Sequence, residues 1–422
     1  MGVMIRSFPP HPNPLPPGER GSHSSPQQSW GVFWHIFINR NRSASDILLS
    51  PGHGGEGWVR GTLNKESSMT EPIPKKMTAL LLHEGGALKI DSVDVPQPKE
   101  DEVLARVRAV AICGTDPKII KGVFKGLWPK SYPAVIGHEW AGEIVQTGPW
   151  VKRMKVGDRV AGEPHKGCGF CRMCLTGRYN ICENYGNLES GHRHYGFTAP
   201  GAYAQYIACS ERTVHTIPES ISFDEATNVD TAGTALHGVK RGRLLPGEDV
   251  AVIGPGAVGL LSFQFAKALG AGRVFVVGRR HRLQLAKDMG AFTVDYEAGD
   301  PVKQVKERTE GRGVDLTIDC AGTVETVQQA VAMTKKGGRM VINGFPPGPV
   351  PLPVTQMVMD EKDLLGVRAD PNTCEEAIPL IANGTIKIKP MISHVFPLTQ
   401  FEKALKIFSE RLEGAVKVIV QP

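Results

Sequence analysis

An α/β architecture is the fold class this 422-residue sequence predicts: a doubly wound parallel sheet joined to a β-rich domain bearing a small metal-holding lobe. Three observations predict it. Strand-like and helix-like runs alternate strictly from about residue 249 to 343, the pattern of a parallel sheet covered on both faces. A glycine-rich turn, Gly254-Pro-Gly-Ala-Val-Gly259, lies between the first of these strands and its helix. Four cysteines, Cys168, Cys171, Cys174 and Cys182, fall within fifteen residues.

Taken in chain order, residues 1–76 stand apart. Phe8 to Gly18 is proline-dense and is followed by Gly/Ser/His-rich sequence without periodicity. Such a composition does not bury enough surface to offset its ordering entropy. The segment reads as a disordered tail, or as upstream sequence ahead of a true start at Met69 or Met77. Short strand-like runs follow at Met77–Leu82, Leu88–Val93 and Val103–Cys113. Trp140–Gln146 and Asp158–Gly162 continue this β-rich, glycine-punctuated pattern to the cysteine lobe. The alternating region then reads strand Asp249–Gly254, helix Ala257–Leu269, strand Arg273–Gly278 and helix Arg280–Met289. Strand Thr293–Asp295, helix Val302–Thr309, strand Val314–Asp319, helix Val324–Thr334 and strand Arg339–Asn343 complete it. Two helices, near Glu375–Ile381 and Leu398–Arg411, precede a last strand, Ala415–Val420, expected to return to the first domain. The domain boundaries are thus 77–229, 230–368 and a returning 369–422.

Composition narrows the function classes. Hydrophobic residues make up 41% and charged residues 22%, ordinary for a soluble globular chain. The net charge of +6 is divided: residues 1–76 hold eight Lys/Arg against five Asp/Glu, and the rest carries the remaining +3. There is no dense basic run, so nucleic acid is not an expected partner. No run of eighteen apolar residues predicts a membrane span, and Gly31–Ile38 is too short and wrongly flanked for a signal peptide. Cys113, Cys209, Cys320 and Cys374 form no disulfide framework, which suits a cytoplasmic protein.

The spacing C-x2-C-x2-C-x7-C is that of a tetrathiolate zinc site. Gly167 and Gly169 allow the tight turn that brings successive sulfurs to one point. Four thiolates fill the coordination sphere, so this zinc is expected to hold shape and not to do chemistry. A disulfide pair or unrelated core thiols would explain the spacing less well.

The turn at Gly254, Gly256, Ala257, Val258 and Gly259 has the strand–turn–helix context of a dinucleotide fingerprint. Its first glycine makes the turn, its second admits a pyrophosphate and its third lets helix and strand touch. NAD-specific folds place an acid about 20 residues further on. Here the second strand ends Gly278-Arg279-Arg280 with no acid. Two arginines suit a 2′-phosphate, so NADP(H) is expected ahead of NAD(H).

Beside such a sheet, Cys113-Gly-Thr-Asp116 and Gly137-His138-Glu139 read as ligands of a second, open metal site. With Gly157-Asp-Arg-Val160, the cysteine lobe and the nucleotide turn, these motifs resemble the zinc-dependent medium-chain dehydrogenases/reductases, the alcohol, sorbitol and threonine dehydrogenase group. The resemblance covers about Met77 to Pro422. It implies a GroES-like catalytic domain beside a Rossmann domain and two zinc ions per chain, with Cys113 and His138 binding the catalytic one. Asp230, in Asp-Thr-Ala-Gly-Thr-Ala-Leu-His237, matches the acidic third ligand of the polyol and threonine enzymes. Glu139 either ligates or exchanges with water, and Asp116 resembles the carboxylate that orients the zinc-bound histidine. The implied activity is hydride transfer between NAD(P) and a secondary alcohol, polyol or amino alcohol. The family's proton relay maps to Thr115 and, where a histidine is usual, to Lys118; relay through ribose and water is the alternative. Gly162-Glu-Pro-His165 resembles the Gly-Glu-Gly-His of threonine dehydrogenases, which makes His165 a substrate candidate, together with Trp128 as a pocket-lining residue. The family implies a small alcohol or ketone as partner and a homodimer or homotetramer. A zinc-free quinone/enone reductase of the same superfamily would leave Cys113, His138 and the four cysteines unexplained. A non-catalytic NAD(P)-sensing zinc protein is the alternative from another class.

Overall fold

In the computed structural model, residues 72–422 are described; the reading of 1–76 lies outside them except at 72–76. Six strands form a wholly parallel sheet in the order Phe292–Asp295, Val274–Gly278, Val250–Ile253, Val314–Asp319, Thr334–Ile342, Asp363–Gly366. The order reverses at Val250–Ile253, and that point is where such sheets leave a crevice for a ligand at their carboxyl ends. This central strand is buried on both faces. Val250 and Val252 pack into one core, Ala251 and Ile253 into the other, which is why it reads as an unbroken apolar run.

The β-rich part is built on a sheet running Val214–Thr216, Arg159–Gly162, Glu139–Thr147, Glu102–Ala111, Lys417–Gln421, Ile392–Pro397, with Tyr206–Ser210 also on Glu102–Ala111. The chain's last strand therefore joins this sheet, pairing Ile419 with Ala111 and Val420 with Val110. Ala111 in turn lies opposite Glu139. That register brings Cys113, just past one strand, and Glu139 and Lys417, at the starts of two others, to one end of the sheet.

Helices Ala257–Ala268, Arg280–Asp288, Pro301–Glu307 and Val324–Met333 fall within two residues of their expected ends. Three elements go beyond the sequence pattern. Helix Val229–Arg241 carries two glycines and two threonines, poor helix formers, yet nine of its residues are buried. Gly233 is needed there because a Cβ would meet Asp370 Cβ at 2.8 Å. Strands Asp363–Gly366 and Ile392–Pro397 are edge strands with mixed exposure, so neither shows a clean apolar run. No helix among the described residues is long and apolar enough to cross a membrane.

Candidate metal and nucleotide sites

The four lobe thiols converge, with all four sulfurs within 4.8 Å of one another. Cys168 and Cys174 sulfurs lie 3.9 Å apart, as do those of Cys171 and Cys182. Bonds of about 2.3 Å in a tetrahedron place sulfurs about 3.8 Å apart, so the four fit zinc. None is in a disulfide. The N–H groups of Cys171 and Cys174 donate to Cys168 and Cys171 sulfurs at 3.4 Å, and Asn184 Nδ2 donates to Cys168 at 3.3 Å. Burial is the largest single influence and would raise Cys168, but these bonds together outweigh it and bring the thiol down to about 6, a thiolate ready for a metal.

A second cluster joins Cys113, His138 and Glu139, whose ligand atoms also lie within 4.8 Å of one another. Local structure explains each position. Cys113 follows the end of strand Glu102–Ala111. Gly137, at φ +91°, turns the chain sharply into His138; a Cβ there would strike the Tyr203 ring at 2.7 Å. Asp116 opens the short helix Asp116–Ile120 and is wholly buried. Its Oδ2 accepts from the Cys113 N–H at 2.9 Å and the Tyr203 hydroxyl at 2.8 Å. Its Oδ1 faces His138 Nδ1 at 3.8 Å, and both atoms are buried without a hydrogen bond. That leaves the other ring nitrogen of His138 for a metal, with Asp116 behind it as orienting carboxylate.

Charge also fits a cation. Burial pushes the Cys113 thiol well up, and the negative Glu139 and Asp116 add to this. A divalent ion would relieve all three. Burial alone would raise Glu139, but Lys417 and His138 outweigh it and hold its carboxyl low. Lys417 Nζ bonds Glu139, and Thr231 Oγ1 donates to it at 3.0 Å. Sequence reasoning missed Lys417, because only the register of the last strand shows that a C-terminal lysine reaches this edge.

Asp230 lies in the first turn of Val229–Arg241, buried but outside that cluster. Burial raises its carboxyl, then Asp370 beside it, with which it shares a hydrogen bond. Asp370 is itself pushed up to about 7 by burial and by Glu163. The sequence offers Asp230 as third ligand and Glu139 as one that ligates or exchanges with water; Glu139, which follows His138 at the start of its strand, lies within the cluster of ligand atoms, and Asp230 lies outside it. Glu163, His215 and Cys374 also converge, but they pair locally. His215 Nε2 lies 3.0 Å from Glu163, and the Cys374 thiol donates to Asp370 at 2.8 Å.

Thr115 Oγ1 is buried and has no hydrogen-bond partner. Lys118 is exposed on the helix that follows. Trp128 is buried, and its indole N–H donates to the Tyr185 hydroxyl at 2.7 Å. His165 is buried too, with neither ring nitrogen partnered.

The glycine turn stands at the switch point. Gly254 adopts φ +93°. A Cβ on Gly259 would lie 2.0 Å from the Gly254 carbonyl oxygen, whereas Gly256 meets nothing nearer than 3.9 Å. Space at Gly256 and the uncapped N-terminus of Ala257–Ala268 suit a pyrophosphate; Ala257 and Val258 supply N–H groups of that first turn. Gly259→Ala should therefore weaken dinucleotide binding at least tenfold, measured by fluorescence titration, since the helix must shift to admit the methyl. At the end of the second strand a Cβ on Gly278 would meet Pro255 at 2.4 Å. Arg279 and Arg280 each lie 3.0 Å from Glu297, on the surface.

Known proteins share the sequence pattern and the fold. Residues 99–219 match the alcohol dehydrogenase GroES-like domain, and residues 257–383 the zinc-binding dehydrogenase domain. The sorbitol dehydrogenase of Bacillus subtilis (strain 168) is 35% identical over 357 residues, 84% of this chain and 99% of that protein. The L-threonine 3-dehydrogenase of Caldanaerobacter subterraneus subsp. tengcongensis is 35% identical over 358 residues, 82% of this chain and 99% of that protein. A crystal structure of a zinc-binding dehydrogenase from Sinorhizobium meliloti 1021, bound to NADP, superposes with a TM-score of 0.76 at 32% identity. It covers 83% of this chain and all of that one.

Proposed function

The chain belongs to the zinc-dependent medium-chain dehydrogenase family, and we propose that it moves hydride between NADP(H) and a secondary alcohol, polyol or amino alcohol. The observation that carries this is the convergence of Cys113, His138 and Glu139 beside Asp116. Relatives named for sorbitol and L-threonine support the substrate class. The four-cysteine lobe would hold one zinc ion, and Cys113, His138 and Glu139, with Asp230 within electrostatic reach, would hold a second. When bound, the second zinc supplies Lewis acidity toward the alcohol oxygen and the nicotinamide supplies the hydride acceptor.

The chain's own residues prepare that step. Asp116 puts its carboxylate behind the ring of His138, 3.8 Å from Nδ1, and Tyr203 and the Cys113 N–H hold Asp116. Lys417 and Thr231 anchor Glu139. The Thr115 hydroxyl is the relay: as it accepts the alcohol proton it gives up its own, outward past exposed Lys118 to water. Eight cysteines without a disulfide fit a reducing compartment, and we place the protein in the cytoplasm as a dimer or tetramer.

The preference for NADP is supported by Arg279 and Arg280. Two cations share the single carboxylate of Glu297, so one positive charge is left for a 2′-phosphate. kcat/KM should favour NADP over NAD at least tenfold. The Arg279→Ala, Arg280→Ala pair should erase that ratio, mostly through the KM for NADP, as expected for hydrogen bonds to a charged group. A wild-type enzyme that prefers NAD would overturn this assignment.

A further inference from the structure

A third group of ligand-type side chains lies apart from both metal sites. A carboxylate oxygen of Glu163, a ring nitrogen of His215 and the sulfur of Cys374 lie within 4.8 Å of one another, and all three side chains are buried. Distant segments bring them there. His215 is the middle residue of strand Val214–Thr216 and pairs with Ala161 on Arg159–Gly162. Glu163 follows that second strand, its N–H donating to the Thr213 carbonyl at 2.9 Å. Cys374 opens helix Cys374–Ala382. In the turn before it the Thr373 N–H donates to the Asp370 carbonyl at 3.1 Å, which sets Asp370 beside Cys374. Gly233 makes room for both, since a Cβ there would lie 2.8 Å from Asp370 Cβ and 3.0 Å from the Cys374 sulfur.

Hydrogen bonds within the group leave part of it unused. His215 Nε2 lies 3.0 Å from Glu163 Oε2, and the Cys374 thiol donates to Asp370 Oδ2 at 2.8 Å. Glu163 Oε1 and His215 Nδ1, on side chains 1% and 6% exposed, have no hydrogen-bond partner. Buried atoms of this kind are costly unless something satisfies them. Charge points the same way. Burial pushes the Cys374 thiol well up, and the charges of Asp370, Glu163 and Asp230, all negative, add to it. A divalent cation taking the place of the thiol proton would offset that charge and give the free Glu163 oxygen a partner. His215 can face such an ion through Nε2 and carry its proton on Nδ1, where Glu375 Oε1 lies 3.4 Å away, as metal-bound histidines do with a carboxylate behind them.

We propose that Glu163, His215 and Cys374, with Asp370 as fourth ligand, form a further metal site, for zinc or a similar late first-row divalent ion. One sulfur, one imidazole nitrogen and carboxylate oxygens are a zinc-type set, whereas magnesium and calcium take oxygens. Four protein groups complete a tetrahedron, so this ion meets no substrate. Glu163 and His215 belong to the alcohol dehydrogenase GroES-like match and Cys374 to the zinc-binding dehydrogenase match. The ion therefore clamps one domain to the other.

The test is metal binding by the full chain, dialysed to about two zinc ions and then titrated with zinc. About one further ion per chain should bind, and at a hundredfold excess over its Kd it should raise Tm by about 3–4 °C. With cobalt(II) as the probe, the same step should bring the sulfur-to-metal charge-transfer absorption of a thiolate. Cys374→Ser and His215→Gln should each lose the further ion, the absorption and the rise in Tm, while the first two ions stay. Glu163→Gln keeps the side-chain volume, guards against a folding artefact and should weaken the further ion by at least about tenfold. Absence of a further ion at saturating zinc overturns the proposal. So does a further ion that binds equally to wild type, Cys374→Ser and Glu163→Gln, because it then sits elsewhere. Turnover is not part of the readout, so failure here leaves the dehydrogenase reading untouched.

Discussion

Replacing His138 with alanine, or Cys113 with serine, should lower kcat by about three orders of magnitude or more while the protein stays folded. The estimate follows from what the metal contributes: Lewis-acid stabilisation worth several kcal/mol, at 1.36 kcal/mol per tenfold in rate. Either change takes away one of three ligand groups that lie within 4.8 Å. The remaining two leave a buried thiol or carboxylate whose charge Lys417 offsets only in part, so affinity for the ion should collapse as well. Zinc analysis should fall from about two ions per chain to about one. Folding should survive, because His138 and Cys113 stand at strand ends and the sheet pairings of Glu102–Ala111 with Glu139–Thr147 do not pass through their side chains. Full turnover in His138→Ala, or an unchanged zinc content in Cys113→Ser, would remove the catalytic role given to this cluster.

Glu139 makes a finer case. Lys417→Met should spare the sheet but free the Glu139 carboxylate from its ammonium. If Glu139 is a resident ligand, the ion should then bind more tightly, measured by competition with a chelator. If Asp230 is the resident third ligand, affinity should hardly change.

The doubly wound sheet was legible because its central strands are apolar on both faces, and because Gly254 and Gly259 answer to close contacts that exclude a Cβ, while Gly256 between them leaves its space open. Cysteine spacing was equally legible, since a tetrathiolate site is almost entirely local in sequence. What escaped notice is non-local. Nothing near Lys417 marks it as the partner of Glu139; the pairing exists because the last strand crosses back beside Ala111. Asp230 and Glu139 have the same chemistry, and only packing shows that one turns to Asp370 while the other sits with Cys113 and His138. Helix Val229–Arg241 hides behind its glycines, which are there to let Asp370 and Asn343 approach.

Breaking the four-cysteine lobe, as in Cys174→Ser, should have the largest effect on stability and a secondary effect on substrate binding. Metal binding at structural sites of this kind is worth about 10–16 kcal/mol in isolated peptides, and a lobe that lacks it has little apolar core of its own. Even if only about 3 kcal/mol is transmitted to the whole, Tm should drop by about 6–12 °C. The secondary effect follows from where the lobe leans. Asn180 Nδ2 donates to the Arg368 carbonyl at 2.6 Å, the Asn372 N–H donates to the Tyr179 hydroxyl at 2.9 Å, and Asn372 Nδ2 donates to the Gly177 carbonyl at 2.8 Å. Three bonds thus brace residues 368–372 against the lobe, and these residues include both Arg368 and Asp370. A lobe without zinc should let that segment drift, raising KM for substrate several-fold at temperatures below the new Tm while the catalytic zinc remains bound. A Cys174→Ser protein with unchanged Tm would contradict the structural role of the metal. A lowered Tm with unchanged KM would confine the lobe to stability and disconnect it from the pocket.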